Sequence, residues 1–204
     1  MAHKLWKWLG EDHITYVVRD IQAWRCVYMD VWGFKEIHHT ADACPHGPSS
    51  MELYGLQAGR SRVALVSPIN RTSISHVQTF LDVHGDHSVQ HVAYAIQNLE
   101  AFVEEMKGRG FKFLGEIKQR SDAFGPIKQI FAKRFDARFT PGQGSFAEFV
   151  ERPKKTRQKK ILMTKRNVAG FFSSTVAGEL YEDVEKDILN DVGDPFIAFP
   201  LIAA

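Results

Sequence analysis

Three residues of this chain have the side chains and placement to hold a metal ion: His13, His91 and Glu148. The two histidines open equivalent stretches. Residues 13–24 read HITYVVRDIQAW and residues 91–102 read HVAYAIQNLEAF, so His13 falls on His91, Tyr16 on Tyr94, Asp20 on Asn98, Ala23 on Ala101 and Trp24 on Phe102. Gly33-Phe34-Lys35 returns as Gly110-Phe111-Lys112, one residue out of step. Two copies of one unit packed about a pseudo-dyad bring equivalent residues close together, so both imidazoles can serve one site. Glu148 lies in Phe146-Ala147-Glu148-Phe149-Val150, and a carboxylate among apolar neighbours is costly to bury unless it is paired or coordinated. Two imidazoles and one carboxylate leave about three positions free for substrate and dioxygen, the pattern of non-haem Fe(II) oxygenases. Zn(II) accepts the same donors, so residue type alone leaves the metal open.

The elements that must position these residues follow from periodicity. His13–Val18 alternates with period two, placing His13, Thr15 and Val17 on one face and Ile14, Tyr16 and Val18 on the other. His91 likewise shares its face with Ala93 and Ala95. Small residues beside a polar one mark a face that looks into a cavity, while the large residues opposite pack on helices. Asp20 and Asn98 are N-caps. The stripe Ile21, Trp24, Val27, Tyr28, Val31 and its counterpart Leu99, Phe102, Val103, Met106 follow them, and Gly33, Gly108 and Gly110 stop the helices. Further strands are predicted around 34–37, 50–56 and 62–67 in the first copy, and 111–114, 128–134 and 146–151 in the second. The predicted fold is α+β: two βαβββ modules, about 11–68 and 90–153, forming one curved half-open barrel over 11–153. A helical turn is predicted at 76–83 in the connection.

After Pro153 the sequence changes character. Residues 154–160 carry five basic side chains in seven and read as a solvated linker rather than a nucleic-acid or lipid patch. A helix over 178–190 presents Leu180, Tyr181, Val184 and Ile188 on one side, and an apolar tail closes the chain at 204. Other histidines compete with the proposed set. His84 and His87 fall close to His91 but sit in a loop-like stretch and are expected on the surface, and His38 and His39 are adjacent to one another. Asp12, beside His13, falls on the opposite face of its strand and is not expected to be a ligand.

The 204 residues suffice for one domain with a sizeable core. A net charge of +2 gives no global case for nucleic acid. No stretch reads as a signal peptide or membrane span, and Cys26 and Cys44 form no CxxC, which together point to a reducing cytoplasm. The 15 phenylalanines favour an aromatic or large apolar ligand.

Several stretches together resemble the C-terminal, catalytic half of the 4-hydroxyphenylpyruvate dioxygenase and hydroxymandelate synthase family, within the vicinal-oxygen-chelate superfamily. They are Asp12-His13, Ser67-Pro68-Ile69-Asn70, the run from Val77 to Leu81 through to Val89-Gln90-His91-Val92-Ala93, Gln129-Ile130-Phe131, and Phe146-Ala147-Glu148, with Gly170-Phe171-Phe172 through Glu179-Leu180-Tyr181 similar to the family's closing helix. The resemblance implies Fe(II) held by His13, His91 and Glu148. It implies polar substrate contacts from Ser50, Asn70, Gln90 and Gln129, with Gln90 and Gln129 also serving the reaction, and aromatic walls from Phe131 and Phe146, with Phe171 and Phe172 on the closing segment. The activity implied is oxidative decarboxylation of a 2-oxo acid by dioxygen with hydroxylation of the same molecule. The sequence departs from the family in having no N-terminal domain of similar fold, in a shorter 114–129 segment, in His76 where a pocket glutamine stands, and in Ala177 or a neighbour where a phenylalanine stands. Self-association as a homodimer is expected to cover the missing contacts. Other metalloenzymes of the superfamily, an extradiol dioxygenase or a glyoxalase-like isomerase, and a ligand-binding protein of the same fold remain as alternatives.

Overall fold

The computed structural model describes residues 5–43, 47–122, 125–134, 139, 142–153 and 174–189. Eight strands form one mixed, curved sheet that does not close, in the order β2-β3-β4-β1-β5-β8-β7-β6. The first module contributes β1 (Lys7–Val17), β2 (Lys35–Thr40), β3 (Met51–Ala58) and β4 (Ser61–Pro68); the second contributes β5 (Ser88–Gln97), β6 (Phe113–Asp122), β7 (Gly125–Ala132) and β8 (Phe146–Glu151). The order is symmetric about the β1–β5 seam. These first strands pair antiparallel with each other, and each pairs parallel with the last strand of its own module. This is the pair of βαβββ units read from the repeat.

Four helices accompany the sheet among the described residues: α1 (Ile21–Cys26), α2 (His76–His84), α3 (Leu99–Gly108) and α4 (Ser174–Leu189). The outer face of module one packs Ile21, Tyr28, Tyr54 and Leu65 under α1, and that of module two packs Leu99, Phe102, Phe113 and Phe149 under α3. The inner face carries a third cluster, in which Met51, Leu53, Val66, Phe131 and Phe146 meet Phe80 from α2 and Leu180, Tyr181 and Val184 from α4. Helix α4 thus covers this cluster with the apolar stripe expected from its sequence, Ile188 being partly buried.

Two local readings change. Helix α1 passes into a π-helical turn over Val27–Val31. The wider turn rotates the stripe, so Val31 is 73% exposed while Phe34 packs against the cluster in its place. Asp20 caps α1 as expected, its Oδ1 accepting from the amides of Gln22 (3.1 Å) and Ala23 (3.0 Å). Asn98 occupies the N-cap position of α3 but adopts φ 64° and makes no side-chain cap. The Glu151 carboxylate accepts from the amides of Asn98 (3.2 Å) and Leu99 (2.9 Å) instead, tying α3 to β8.

Candidate metal centre

The β1–β5 seam and its neighbour β8 place the three candidate ligands. Pairing sets His13 opposite Ala93, and Ala93 opposite Glu148, in one row across three strands; His91 lies two residues along β5 from Ala93 on the same face. The small side chain of Ala93 leaves the space that the two imidazoles and the carboxylate fill. All three are buried. Glu148 Oε2 lies 3.3 Å from His13 Nε2 and 3.3 Å from His91 Nε2, one ligand atom of each residue lies within 4.8 Å of the others, and the imidazole planes meet at 77°. Adjacent ligands of a six-coordinate ion with bonds near 2.1 Å stand roughly 3 Å apart. The Nε2 of His91 and Oε2 of Glu148 make no hydrogen bond, although buried polar atoms almost always do. A cation among these atoms satisfies them together, so the residues fit a divalent metal.

The electrostatics agree. Burial would raise the Glu148 carboxyl, but the His13 and His91 imidazoles outweigh it and hold the group down at about 2. Burial would lower His13, but Glu148 and Asp12 on either side raise it overall. His91 is lowered, chiefly by burial. The carboxylate is therefore ionised and aimed at the two rings.

Each histidine is buttressed by the residue before it. The β1–β5 register slips between Glu11 and His13, leaving Asp12 as an extra residue in β1, and again opposite Thr15/Tyr16, leaving Gln90 as an extra residue in β5. Such bulges re-aim side chains. Asp12, expected on the far face, instead has Oδ2 2.9 Å from His13 Nδ1. Gln90 has Oε1 3.3 Å from His91 Nδ1, and the same oxygen accepts from the Tyr181 hydroxyl of α4 at 2.9 Å.

Around the ligands, Gln129 donates from Nε2 to Glu148 Oε1 at 2.5 Å. Phe146 stacks on His91 (ring centroids 4.9 Å apart, 22° between planes), and Phe131 lies 5.3 Å from it. Phe131 also touches Tyr181 at 5.6 Å. His76 sits beyond Tyr181, stacked on it at 5.2 Å. Its Nδ1 pairs with the Ser49 hydroxyl, and burial pushes it down to about 3, so the ring is neutral. The Oε1 of Gln129, Nε2 of Gln90 and Nε2 of His76 are buried without hydrogen-bond partners.

Ser50 and Asn70 have local partners of their own. The Ser50 hydroxyl donates to Asp42 at 2.9 Å; Asn70 donates to the Pro48 carbonyl at 2.8 Å and accepts from Thr72. Both side chains brace loops. Phe171 and Phe172 lie outside the described residues, as does Cys44; Cys26 is exposed and free. His84 and His87, expected on the surface, are half-buried: His84 bonds the Gln143 carbonyl at 2.6 Å, and His87 is stacked between Tyr16 and Trp24 at 4.4 and 3.8 Å. Sequence reasoning missed Asp12, Ser49, Tyr181, Arg62 and Arg152 as parts of the site. For Asp12 the signal was its alignment with Gln90, each immediately before a ligand histidine.

Among the described residues no helix is long and apolar enough to cross a membrane. No curated protein matches the chain significantly. Its fold is similar to a variant of 4-hydroxymandelate synthase from Streptomyces coelicolor (17% identity, TM-score 0.62, covering 87% of this chain and 54% of that one), so the chain spans about half the length of that protein. It is also similar to the hypothetical protein BH1468 from Bacillus halodurans C-125 (21% identity, TM-score 0.54, covering 76% of this chain and 99% of that one). Methylmalonyl-CoA epimerase from Mycobacterium tuberculosis is another match (21% identity, TM-score 0.53, covering 76% and 93%). Residues 12–127 match the profile of the Glyoxalase/Bleomycin resistance protein/Dioxygenase superfamily, and the chain belongs to that superfamily.

Proposed function

We propose that this protein is an Fe(II)-dependent dioxygenase that oxidatively decarboxylates a 2-oxo acid with an aromatic or large apolar side chain and hydroxylates the same molecule. The observation that carries the reading is the buried convergence of His13 Nε2, His91 Nε2 and the Glu148 carboxylate under aromatic walls. Two imidazoles and one carboxylate on one side of an ion leave the other side to a chelating substrate and dioxygen. The overall reaction balances: one dioxygen and one oxo acid give carbon dioxide and a hydroxylated acid one carbon shorter, one oxygen atom entering the new carboxylate and the other the hydroxyl group.

When bound, the metal supplies the redox chemistry with dioxygen and polarises the oxo acid. The protein's part is orientation and exclusion of water. Gln129 holds Glu148 Oε1 with its amide nitrogen, which directs the other oxygen, Oε2, at the two histidines. Phe131 and Phe146 wall the site beside His91. The unpartnered amide nitrogen of Gln90 and Nε2 of His76 are donors for substrate oxygens, and Tyr181 of α4 holds the Gln90 oxygen. Phe171 and Phe172 belong to the same proposal as contacts on the closing segment, and Ser50 and Asn70 as polar substrate contacts. A homodimer and a cytoplasmic setting also stay part of the proposal; a monomer at every concentration in sedimentation would remove the former.

The test is an anaerobic Fe(II) titration watched by visible absorption, with and without 4-hydroxyphenylpyruvate, followed by air. The expected result is a charge-transfer band that needs both iron and oxo acid, is lost in His91→Ala, and gives way to oxygen uptake with carbon dioxide release. Iron binding without a band rejects this oxo acid. No iron binding overturns the reading, and turnover supported by Ni(II) or Zn(II) without oxygen uptake replaces it with an isomerase.

A further inference from the structure

We propose that Asp12, clamped by Arg62 and Arg152, is a positioning residue that fixes His13 as the Nδ1–H tautomer and so keeps Nε2 bare for a metal ion. The choice of ion rests on the function proposed above; the tautomer rests on the shorter of two carboxylate contacts, 2.9 Å from Nδ1 to Asp12 Oδ2 against 3.3 Å from Nε2 to Glu148 Oε2. The bulge in β1 brings Asp12 Oδ2 to 2.9 Å from His13 Nδ1. A carboxylate oxygen only accepts, so the proton of this bond comes from the ring. The carboxylate cannot turn away. Arg152 grips it with two nitrogens, Nε to Oδ1 at 2.7 Å and Nη2 to Oδ2 at 2.6 Å, and Arg62 Nη1 adds a bond to Oδ1 at 3.0 Å. Two parallel N–H bonds of this kind fix orientation as well as charge. The parts come from β1, from β4 and from the residue just past β8, so the lock is complete only when both modules are assembled.

The arginines also decide what an amide does in place of the carboxylate. In Asp12→Asn the amide oxygen is drawn to the Oδ1 position, where Arg152 Nε and Arg62 Nη1 both donate. The amide nitrogen then faces His13 Nδ1 as a donor and Arg152 Nη2 as one unfavourable contact; the reverse orientation sets a donor against two arginine nitrogens. His13 Nδ1 must therefore accept, its proton moves to Nε2, and the nitrogen meant for the ion is blocked. His91 Nδ1 faces a longer and uncharged acceptor, the Gln90 amide oxygen at 3.3 Å, which the Tyr181 hydroxyl holds in place.

The measurement is nitrogen NMR of the full chain with labelled histidine, metal-free and at a pH high enough for the rings to be neutral, followed by Zn(II) titration as a diamagnetic probe. In the wild type the His13 signal, assigned by its loss in His13→Gln, is expected to show a protonated Nδ1 and a bare Nε2. In Asp12→Asn the pattern should invert, and Zn(II) affinity should fall ten- to a hundredfold, the usual effect of removing such a partner. A wild-type ring protonated on Nε2 overturns the proposal with no variant needed. An Asp12→Asn protein that melts earlier but keeps the tautomer and the Zn(II) affinity also overturns it, leaving Asp12 a purely structural ion pair. Wild-type protein with the expected tautomer that binds neither Zn(II) nor Fe(II) would sink the proposed function and leave the tautomer assignment standing.

Discussion

The two halves of the metal centre are built from the same strand position in two copies of one unit, yet they are held in different ways. In the first half, His13 leans on a carboxylate clamped by Arg62 of β4 and Arg152 just past β8. In the second, His91 leans on a neutral amide whose oxygen is shared with Tyr181 on the closing helix. The backbone device is common to both, a bulge that turns the preceding residue toward the ring. What has diverged is where the second support comes from. The supports of the first half come from β1, β4 and the residue after β8, whereas those of the second include Tyr181 of α4.

The sharpest way to break the comparison is to attack the fixed half. Arg152→Ala leaves the buried Asp12 carboxylate with a single remaining arginine at 3.0 Å. Removing one partner of a buried ion pair costs about 4 kcal/mol because the other charge stays buried. The expected outcome in urea denaturation is a loss of that order. A loss below about 1 kcal/mol, the range of surface pairs, would mean that the clamp is solvated and that the two halves are equally soft.

Next in size is a substitution aimed at α4. Gly115 has φ 60°, and a Cβ there would collide with the Asp183 carboxylate. Asp183 is the buried anchor of α4, paired with Lys118 at 2.9 Å, while Glu185 of the same helix accepts from the Ser49 amide at 3.0 Å. Gly115→Ala combines left-handed strain with expulsion of that carboxylate, about 3 kcal/mol in total. Hydrogen exchange should accelerate in α4 while β1 and β5 keep their protection. Equal loss across the sheet would show that α4 and sheet are one cooperative unit.

A pH experiment separates the halves without touching either histidine. His76, stacked on Tyr181, is held neutral with its ionisation pushed down to about 3, against roughly 6.5 in an unfolded chain. Above the unfolded value neither state carries the proton and the native protein has its full stability. Below it the unfolded chain takes up a proton that the native state refuses, so stability falls as pH drops from about 6.5 toward 3. Between pH 7 and 5 this amounts to about 2 kcal/mol. In His76→Gln that part of the acid dependence should vanish, and an unchanged slope would mean that His76 gains solvent access on the α4 side. Asp12 adds its own loss only below about pH 5: Arg152, against the effect of burial, holds its carboxyl below the ordinary range, so the unfolded chain takes up a proton there that the native state refuses, and the His76 effect is read between pH 7 and 5.

How much of this was legible beforehand follows the same division. The convergence of His13, His91 and Glu148 could be read because it depends on the repeat and on strand alternation, and both survive folding. The residues beside the ligands could not. Alternation puts Asp12 on the far face, and only the bulge, which nothing in the composition announces, turns it to His13. The π-turn that exposes Val31 and brings in Phe34 is another single-residue shift of phase. Asn98 has the right residue type for a cap, but β8 delivers Glu151 to the same amides, and the carboxylate takes them. Ser49, not Ser50, meets His76 because the loop before β3 turns the neighbouring hydroxyl toward Asp42. Periodicity gives faces; which residue fills a gap on a face is settled by neighbours distant in sequence.

The smallest expected effect is the most direct test of the share of α4. Tyr181→Phe removes one buried hydroxyl that donates to Gln90 Oε1 at 2.9 Å and leaves the ring in place against Phe131 and His76. The Gln90 oxygen still has His91 Nδ1 at 3.3 Å, so no acceptor is orphaned and the cost should be about 1 kcal/mol. The informative readout is how that loss divides. If α4 supports the second half, Gln90 gains freedom to turn, and the variant should bind Zn(II) a fewfold more weakly while the His13 tautomer is untouched. An unchanged affinity with the same loss of stability would place Tyr181 among the packing of α4 alone, and the two halves would then differ only in the charge of the partner each histidine has.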